Sequence, residues 1–263
     1  MYETQYHRAS SAEDAVAKLE SADDGKLLSG GMTLIPTMKQ RLAAPSDLVD
    51  ITHIDALKGI SVDGNTVTIG AATTHAEVAG GGDEIGNGVA ELAGHIGDPH
   101  VRHRGTIGGS IANNDPAADY PAAMLALNAS IMTNKRTISA EEFFVGMFET
   151  ALEEDEIITA VSYEKPEKGA YSKFPNPASR YAMAGVFVAQ SGDGARVAVT
   201  GAGSDGVFRH SGMEEALAGN WSGDAVAACD VDEDAMLSDI HGDAAYRANL
   251  VKVMAKRAVE AAG

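Results

Sequence analysis

The sequence predicts an α+β protein in two parts. Short strand patterns alternate with helical ones through the first half, two hairpins are marked by Asp63-Gly64-Asn65 and Gly192-Asp193-Gly194, and the chain closes on one amphipathic helix. The run 164–177, rich in Pro, Lys and Gly, reads as a boundary between parts of residues 1–165 and 166–263.

Ser10-Ser11-Ala12-Glu13 has capping-box spacing, and Ala12, Ala15, Val16 and Leu19 then share a helical face. Lys26-Leu27-Leu28-Ser29 reads as a strand running into Gly30-Gly31, followed by a short helix of Leu34, Ile35 and Met38 with Pro36 in its first turn. Leu48 to Ile51 is a second strand, and Ile60 to Ala71 a hairpin. Ile85, Val89, Leu92, Ala93 and Ile96 keep a helical period, predicting one helix over 83–97. From Gly97 to Asp115 periodicity is lost among Gly, His, Arg and Asn, the signature of an irregular, functional segment. A helix resumes over Ala122 to Leu127, and Glu156 to Val161 is a strand. In the second part, 185–188 and 196–199 form a hairpin, and a helix over 244–261 puts Leu250, Val251, Met254 and Ala258 on one side.

The 263 residues carry 20 Lys+Arg against 38 Asp+Glu, a formal charge of −18, which excludes a basic nucleic-acid-binding surface. Acidity spread along the chain, rather than gathered in a tail, suits a halophilic protein working in high internal salt, the alternative being an ordinary acidic bacterial protein. A single cysteine, Cys229, excludes internal disulfides, thiolate zinc sites and an iron–sulfur cluster held by this chain alone. It reads as a small buried residue. No apolar run is long enough to span a bilayer and the first residues lack the pattern of a secretory leader, so the expected location is cytoplasmic.

Two glycine pairs stand out, Gly30-Gly31 between Ser29 and Thr33, and Gly108-Gly109 between Thr106 and Ser110. Such pairs let backbone amides converge on an anion with no Cβ in the way, so two of them can cradle a pyrophosphate; either alone reads first as an ordinary tight turn. Asp119 suits hydrogen bonds from sugar or ribityl hydroxyls, or a helix cap. Gly201-Ala202-Gly203-Ser204-Asp205-Gly206 fits G-x-G-x-x-G but follows a hairpin strand rather than opening a βαβ unit, so it reads as a loop. Gly108-Gly109-Ser110-Ile111-Ala112 falls short of a nucleophile elbow. His95, His100 and His103 lack the spacing of a metal motif. No catalytic acid, base or nucleophile and no metal ligand is identified.

In order along the chain, Lys26-Leu27-Leu28-Ser29-Gly30-Gly31-Met32-Thr33-Leu34-Ile35-Pro36-Thr37-Met38-Lys39, Arg102 to Ala112, Asp115-Pro116-Ala117-Ala118-Asp119, and Tyr171 to Ala182 resemble the FAD-binding medium subunit of the molybdenum hydroxylases, nearest the aerobic carbon monoxide dehydrogenase and xanthine dehydrogenase type. The resemblance implies a two-subdomain FAD-binding domain of the vanillyl-alcohol-oxidase (PCMH) type over 1–165, followed by a smaller α+β C-terminal domain. It implies that Ser29, Gly30, Gly31, Met32 and Thr33, with Thr106, Ile107, Gly108, Gly109 and Ser110, hold the FAD pyrophosphate through backbone amides. Asp119 corresponds to a carboxylate at the flavin polyol; Ile158, Lys173 and Tyr181 match positions near the isoalloxazine. Asn113 and Asn114 stand where some members carry His, and Met32 replaces a polar residue.

The implied function is electron transfer. A large partner subunit holds the molybdenum cofactor, a small one holds two iron–sulfur clusters, and FAD on this chain passes electrons to an external acceptor, in a dimer of heterotrimers. The competing readings are a free-standing FAD oxidoreductase with its own small substrate, and a FAD-retaining scaffold subunit without redox turnover.

Overall fold

Three sheets organise the chain, and the computed structural model describes all residues 1–263. The first is parallel, with β1 (Gln5–Arg8) and β2 (Gly25–Leu28) flanking β3 (Asp47–Asp50). Helix α1 (Ala12–Glu20) crosses from β1 to β2, and α2 (Leu34–Lys39) follows the first glycine pair. The cap of α1 is one residue later than the sequence suggests: Ser11 accepts from Asp14 N–H, and the Asp14 carboxylate accepts from Ser10 N–H.

The second sheet is antiparallel, in the order β4 (Ile60–Asp63), β5 (Thr66–Gly70), β10 (Ile158–Glu164), β6 (Ser130–Thr133), β7 (Thr137–Ser139). Strand β5 alternates as a half-buried strand should, with Val67 and Ile69 fully buried. The expected strand at 156–161 begins at Ile158 because the Glu156 N–H donates to Glu153 O in a turn and the Ile157 N–H to the Asn134 side chain. A small hairpin of β8 (Phe144–Gly146) and β9 (Glu149–Thr150) follows α9 (Ala140–Phe143).

Between β5 and β6 lie α3 (His75–Ala79), α4 (Gly82–Ile85), α5 (Asn87–Gly94), α6 (Pro99–Arg102), α7 (Ile107–Asn113) and α8 (Tyr120–Ala126). Two expectations fail here. The single helix over 83–97 is broken at Gly86, whose φ of +90° no right-handed helix accommodates, and it ends at Gly94. The segment from Gly97 to Asp115 is not irregular throughout. Asp98 accepts from Val101 N–H at 3.0 Å and Thr106 from Gly109 N–H at 3.2 Å, and these caps start α6 and α7.

The third sheet, β11 (Lys168–Pro175), β12 (Ala182–Ser191), β13 (Gly194–Thr200) and β14 (Phe208–Arg209), is antiparallel. Most of the stretch 164–177 is strand β11, paired with β12. Strand β12 reads as continuous apolar sequence because both its faces are covered. Ala184, Val186 and Val188 pack with α12 (Ala244–Ala262), while Phe187 and Ala189 join the core around α8 and β5. Helices α10 (Ser211–Gly219) and α11 (Gly223–Ala227) complete this part, and the G-x-G-x-x-G segment is the loop between β13 and β14. No helix is long and apolar enough to cross a membrane.

Candidate functional site

A cavity of about 640 Å³ opens where the first sheet meets the helices between β5 and β6, within the size range of cofactor sites. Two glycine loops form its floor. None of the backbone N–H groups from Ser29 to Leu34 donates to a protein acceptor. Six consecutive amides without protein partners, the last at the start of α2, are free to receive an anion at the wall of the cavity. Gly31 holds a φ of +69°, which a side chain would strain.

The second loop is locked against the first. A Cβ on Gly30 would lie 2.1 Å from the Arg104 carbonyl oxygen, so the two backbones touch. Ser29 Oγ and Thr106 Oγ1 are 2.8 Å apart, joining the loops by a hydrogen bond. Behind them Gly108 packs on Ala71 so closely that a Cβ would fall 2.6 Å from the alanine methyl.

The structure divides the expected residues of this second loop. Ile107 N–H donates to Thr73 O at 3.1 Å, Gly108 N–H to Ala71 O at 2.9 Å and Ser110 N–H to Thr106 O at 3.0 Å, so these amides are already engaged. Ile107 is fully buried in the core and does not line the cavity. Its role and that of Gly108 is to hold the loop in place. Thr106, Gly108, Gly109 and Ser110 line the cavity, as do Ser29, Gly30, Gly31, Met32, Thr33, Asp119, Ile158 and Tyr181.

Lys173 does not line the cavity; it stands behind it. Its ammonium is 3.0 Å from the Asp119 carboxylate and donates to the His95 carbonyl at 3.0 Å. Tyr171 donates to the same carboxylate at 2.5 Å. Burial raises the pKa of Asp119, and the neighbouring Lys173 charge opposes that rise. Asp119 is thus held by two residues of β11, one on each carboxylate oxygen, at the wall of the cavity.

Several wall residues carry no signal in the sequence. His75, at the start of α3, lines the cavity although Thr74 and Glu77 announce only a helix cap. Arg180 adopts a φ of +65° and donates to Gly97 O at 3.2 Å, closing a wall beside Tyr181. Glu156 lines the far side, and Arg136 on both its oxygens lowers its pKa to about 2. The half-buried Cys229 lies in α12's core region, remote from these residues, and burial raises its pKa.

Residues 2–163 match the family described as the FAD binding domain in molybdopterin dehydrogenase. The chain belongs to this FAD-binding family of the molybdenum hydroxylases. The flavoprotein is 36% identical to the carbon monoxide dehydrogenase medium chain of Hydrogenophaga pseudoflava, over 98% of this chain and 96% of that one. It is 32% identical to the nicotine 6-hydroxylase medium subunit of Paenarthrobacter nicotinovorans, over 98% and 97%. Its fold matches a solved Hydrogenophaga pseudoflava carbon monoxide dehydrogenase that lacks the Mo-pyranopterin moiety of its cofactor. The TM-score is 0.88 at 36% identity, covering 99% of this chain and 97% of that one. The α+β architecture is accordingly that of the PCMH-type FAD-binding subunits, and the chain is an oxidoreductase flavoprotein subunit. Neither the fold nor these relatives lends support to the high-salt reading of the charge.

Proposed function

We propose that this chain holds FAD as the electron-transfer subunit of a carbon monoxide dehydrogenase-like molybdenum hydroxylase. It would stand between iron–sulfur clusters on a small partner and an external acceptor, with the molybdenum cofactor on a large partner, in a cytoplasmic dimer of heterotrimers. The observation that carries the reading is the row of unpartnered amides from Ser29 to Leu34, set in backbone contact with the Thr106 loop. That row fits a diphosphate, whose oxygens accept many hydrogen bonds in a small volume.

Charge supports the same placement. Residues 25–46 and 99–114 contain no Asp or Glu, although the chain has 38 of them, and they carry Lys26, Lys39, Arg41, Arg102 and Arg104. The two loop segments thus lack carboxylates, and those of the cavity wall stand elsewhere, at Asp115, Asp119 and Glu156. Met32 takes no part through its side chain in such binding, so its replacement of a polar residue is tolerated. Asn114 is committed elsewhere: its side-chain amide donates to Gly146 O at 2.8 Å and Glu149 O at 2.9 Å.

FAD supplies a carrier that accepts two electrons and releases them singly or together. The chain's own contribution is to bind it, orient it against Asp119, Ile158 and Tyr181, and leave one side open to a partner. Substrate choice is assigned to the large subunit, since relatives named for carbon monoxide and for nicotine resemble this chain almost equally. Rapid mixing of the assembled complex with its substrate tests the proposal. Flavin bleaching that requires the partner subunits is expected; bleaching of the isolated chain by a small substrate would instead make it a free-standing enzyme, and unimpaired acceptor reduction after FAD is stripped would make it a scaffold.

A further inference from the structure

His75 is a histidine in the cavity wall whose hydrogen bonding within the protein is incomplete. The residue is 4% exposed, and its Nδ1 is buried with no partner. Its ring lies 5.4 Å from that of Tyr120, whose hydroxyl is also buried without a partner, so neither satisfies the other directly. Nε2 points toward the glycine loops. A Cβ on Gly105 would lie 2.6 Å from it, and Gly105 Cα is in turn 2.6 Å from where a Cβ of Gly30 would fall. The backbone reinforces this contact, His75 N–H donating to Gly105 O at 2.9 Å. The imidazole therefore packs on Gly105 beside the junction of the two loops, in the cavity wall.

The protonation state follows from the surroundings. Burial, with the Arg102 charge nearby, lowers the His75 pKa to about 4, so the ring is neutral near pH 7. A neutral imidazole carries one N–H. A buried, unpaired N–H is less tolerable than a buried, unpaired lone pair, so the proton belongs on Nε2, the nitrogen with access to the cavity. This leaves a single fixed donor aimed at the loop junction.

We propose that His75 donates a hydrogen bond from Nε2 to a diphosphate oxygen of the bound dinucleotide. The inference rests on the FAD reading above and adds a residue that the glycine motifs do not include. Gly105 is the spacer that makes it possible, because any side chain there would displace the ring.

FAD titration of the full-length chain, with affinities of the native protein, His75→Phe and His75→Gln, tests it. His75→Phe should weaken FAD about tenfold, and His75→Gln, which restores an N–H donor, should recover to within about threefold of native. The ³¹P resonances of bound FAD should differ between native protein and His75→Phe. Independently of any variant, ¹⁵N spectra of the native protein should show His75 protonated at Nε2 and bare at Nδ1, with the Nε2 resonance moving when FAD is added. If the native chain takes up no FAD, the functional reading itself falls. If it binds FAD but His75→Phe binds equally well, or the Nε2 and ³¹P resonances are indifferent, only the role of His75 is overturned.

Discussion

Asp119 shows what a sequence yields about a single residue. Its place after the second glycine loop marks it as a site carboxylate, but its partners Tyr171 and Lys173 lie 52 and 54 residues further on, where no spacing rule connects them. Their presence changes the expected cost of removing it. As a bare acceptor of ligand hydroxyls, Asp119 would contribute about 0.5–1.5 kcal/mol per hydrogen bond. Paired with a lysine whose side chain is 4% exposed, its truncation strands a buried ammonium, at roughly 3–5 kcal/mol. Asp119→Ala should therefore lower stability in urea unfolding by about 3 kcal/mol, and Lys173→Met in the same chain should recover much of the loss. Equal losses in the single and double variants would show that the pair is not the source.

Glu156 reads in the sequence only as part of a strand, because its partner Arg136 lies 20 residues earlier and no spacing rule connects them. Arg136 contacts both its oxygens at 3.0 and 2.9 Å, and Thr133 donates at 2.7 Å. The folded-state pKa, about 2, lies below the ordinary 4.5. The contribution to stability is thus complete above pH 4.5 and is lost as pH falls toward 2. Glu156→Gln should lower stability at pH 7 and flatten its decline over that acid range, as followed by urea unfolding at successive pH values. Parallel pH profiles for the two proteins would contradict the assignment.

At the scale of elements, the caps explain both what was legible and what was not. The hydrophobic period correctly marked Ile85, Val89, Leu92 and Ala93, all buried. It passed over the break at Gly86, because a positive φ at one glycine interrupts the helix without disturbing the apolar pattern. Helices α6 and α7 were missed because four and seven residues rich in Gly, His and Asn have little intrinsic helicity; Asp98 and Thr106 start them from outside. Thr106 serves two elements at once, capping α7 and bonding Ser29. Thr106→Ala should cost about 1 kcal/mol from the cap alone. Together with Ser29→Ala it should show a coupling of about 0.5–1.5 kcal/mol in a double-mutant cycle on thermal stability. Strict additivity would mean that the two loops are held together by backbone contact only.

For the whole molecule, the division expected near residue 165 falls between β10, which ends at Glu164, and β11, which begins at Lys168. Strand β11 is paired, carries buried Ala170 and Tyr171, and delivers Lys173 to the site. Tyr171, Phe187, Ala189 and Ala198 share one core with β5 and α8. The third sheet therefore supports the cavity from behind, which local sequence pattern cannot report because the contacts join distant segments. What the sequence did carry was the pair of glycine loops, since close backbone approach requires glycine locally and so leaves a visible mark.

The central claim is that these loops form one FAD cradle. Its direct measure is the flavin released on denaturation, counted per chain after saturating the purified protein with FAD, for the native chain and for Gly30→Ala. A methyl at position 30 would meet the Arg104 carbonyl at 2.1 Å and force the loops apart. The native chain should hold close to one FAD, and the variant should lose at least tenfold in affinity. A native chain that retains no flavin, or a Gly30→Ala chain that retains as much as the native one, would contradict it.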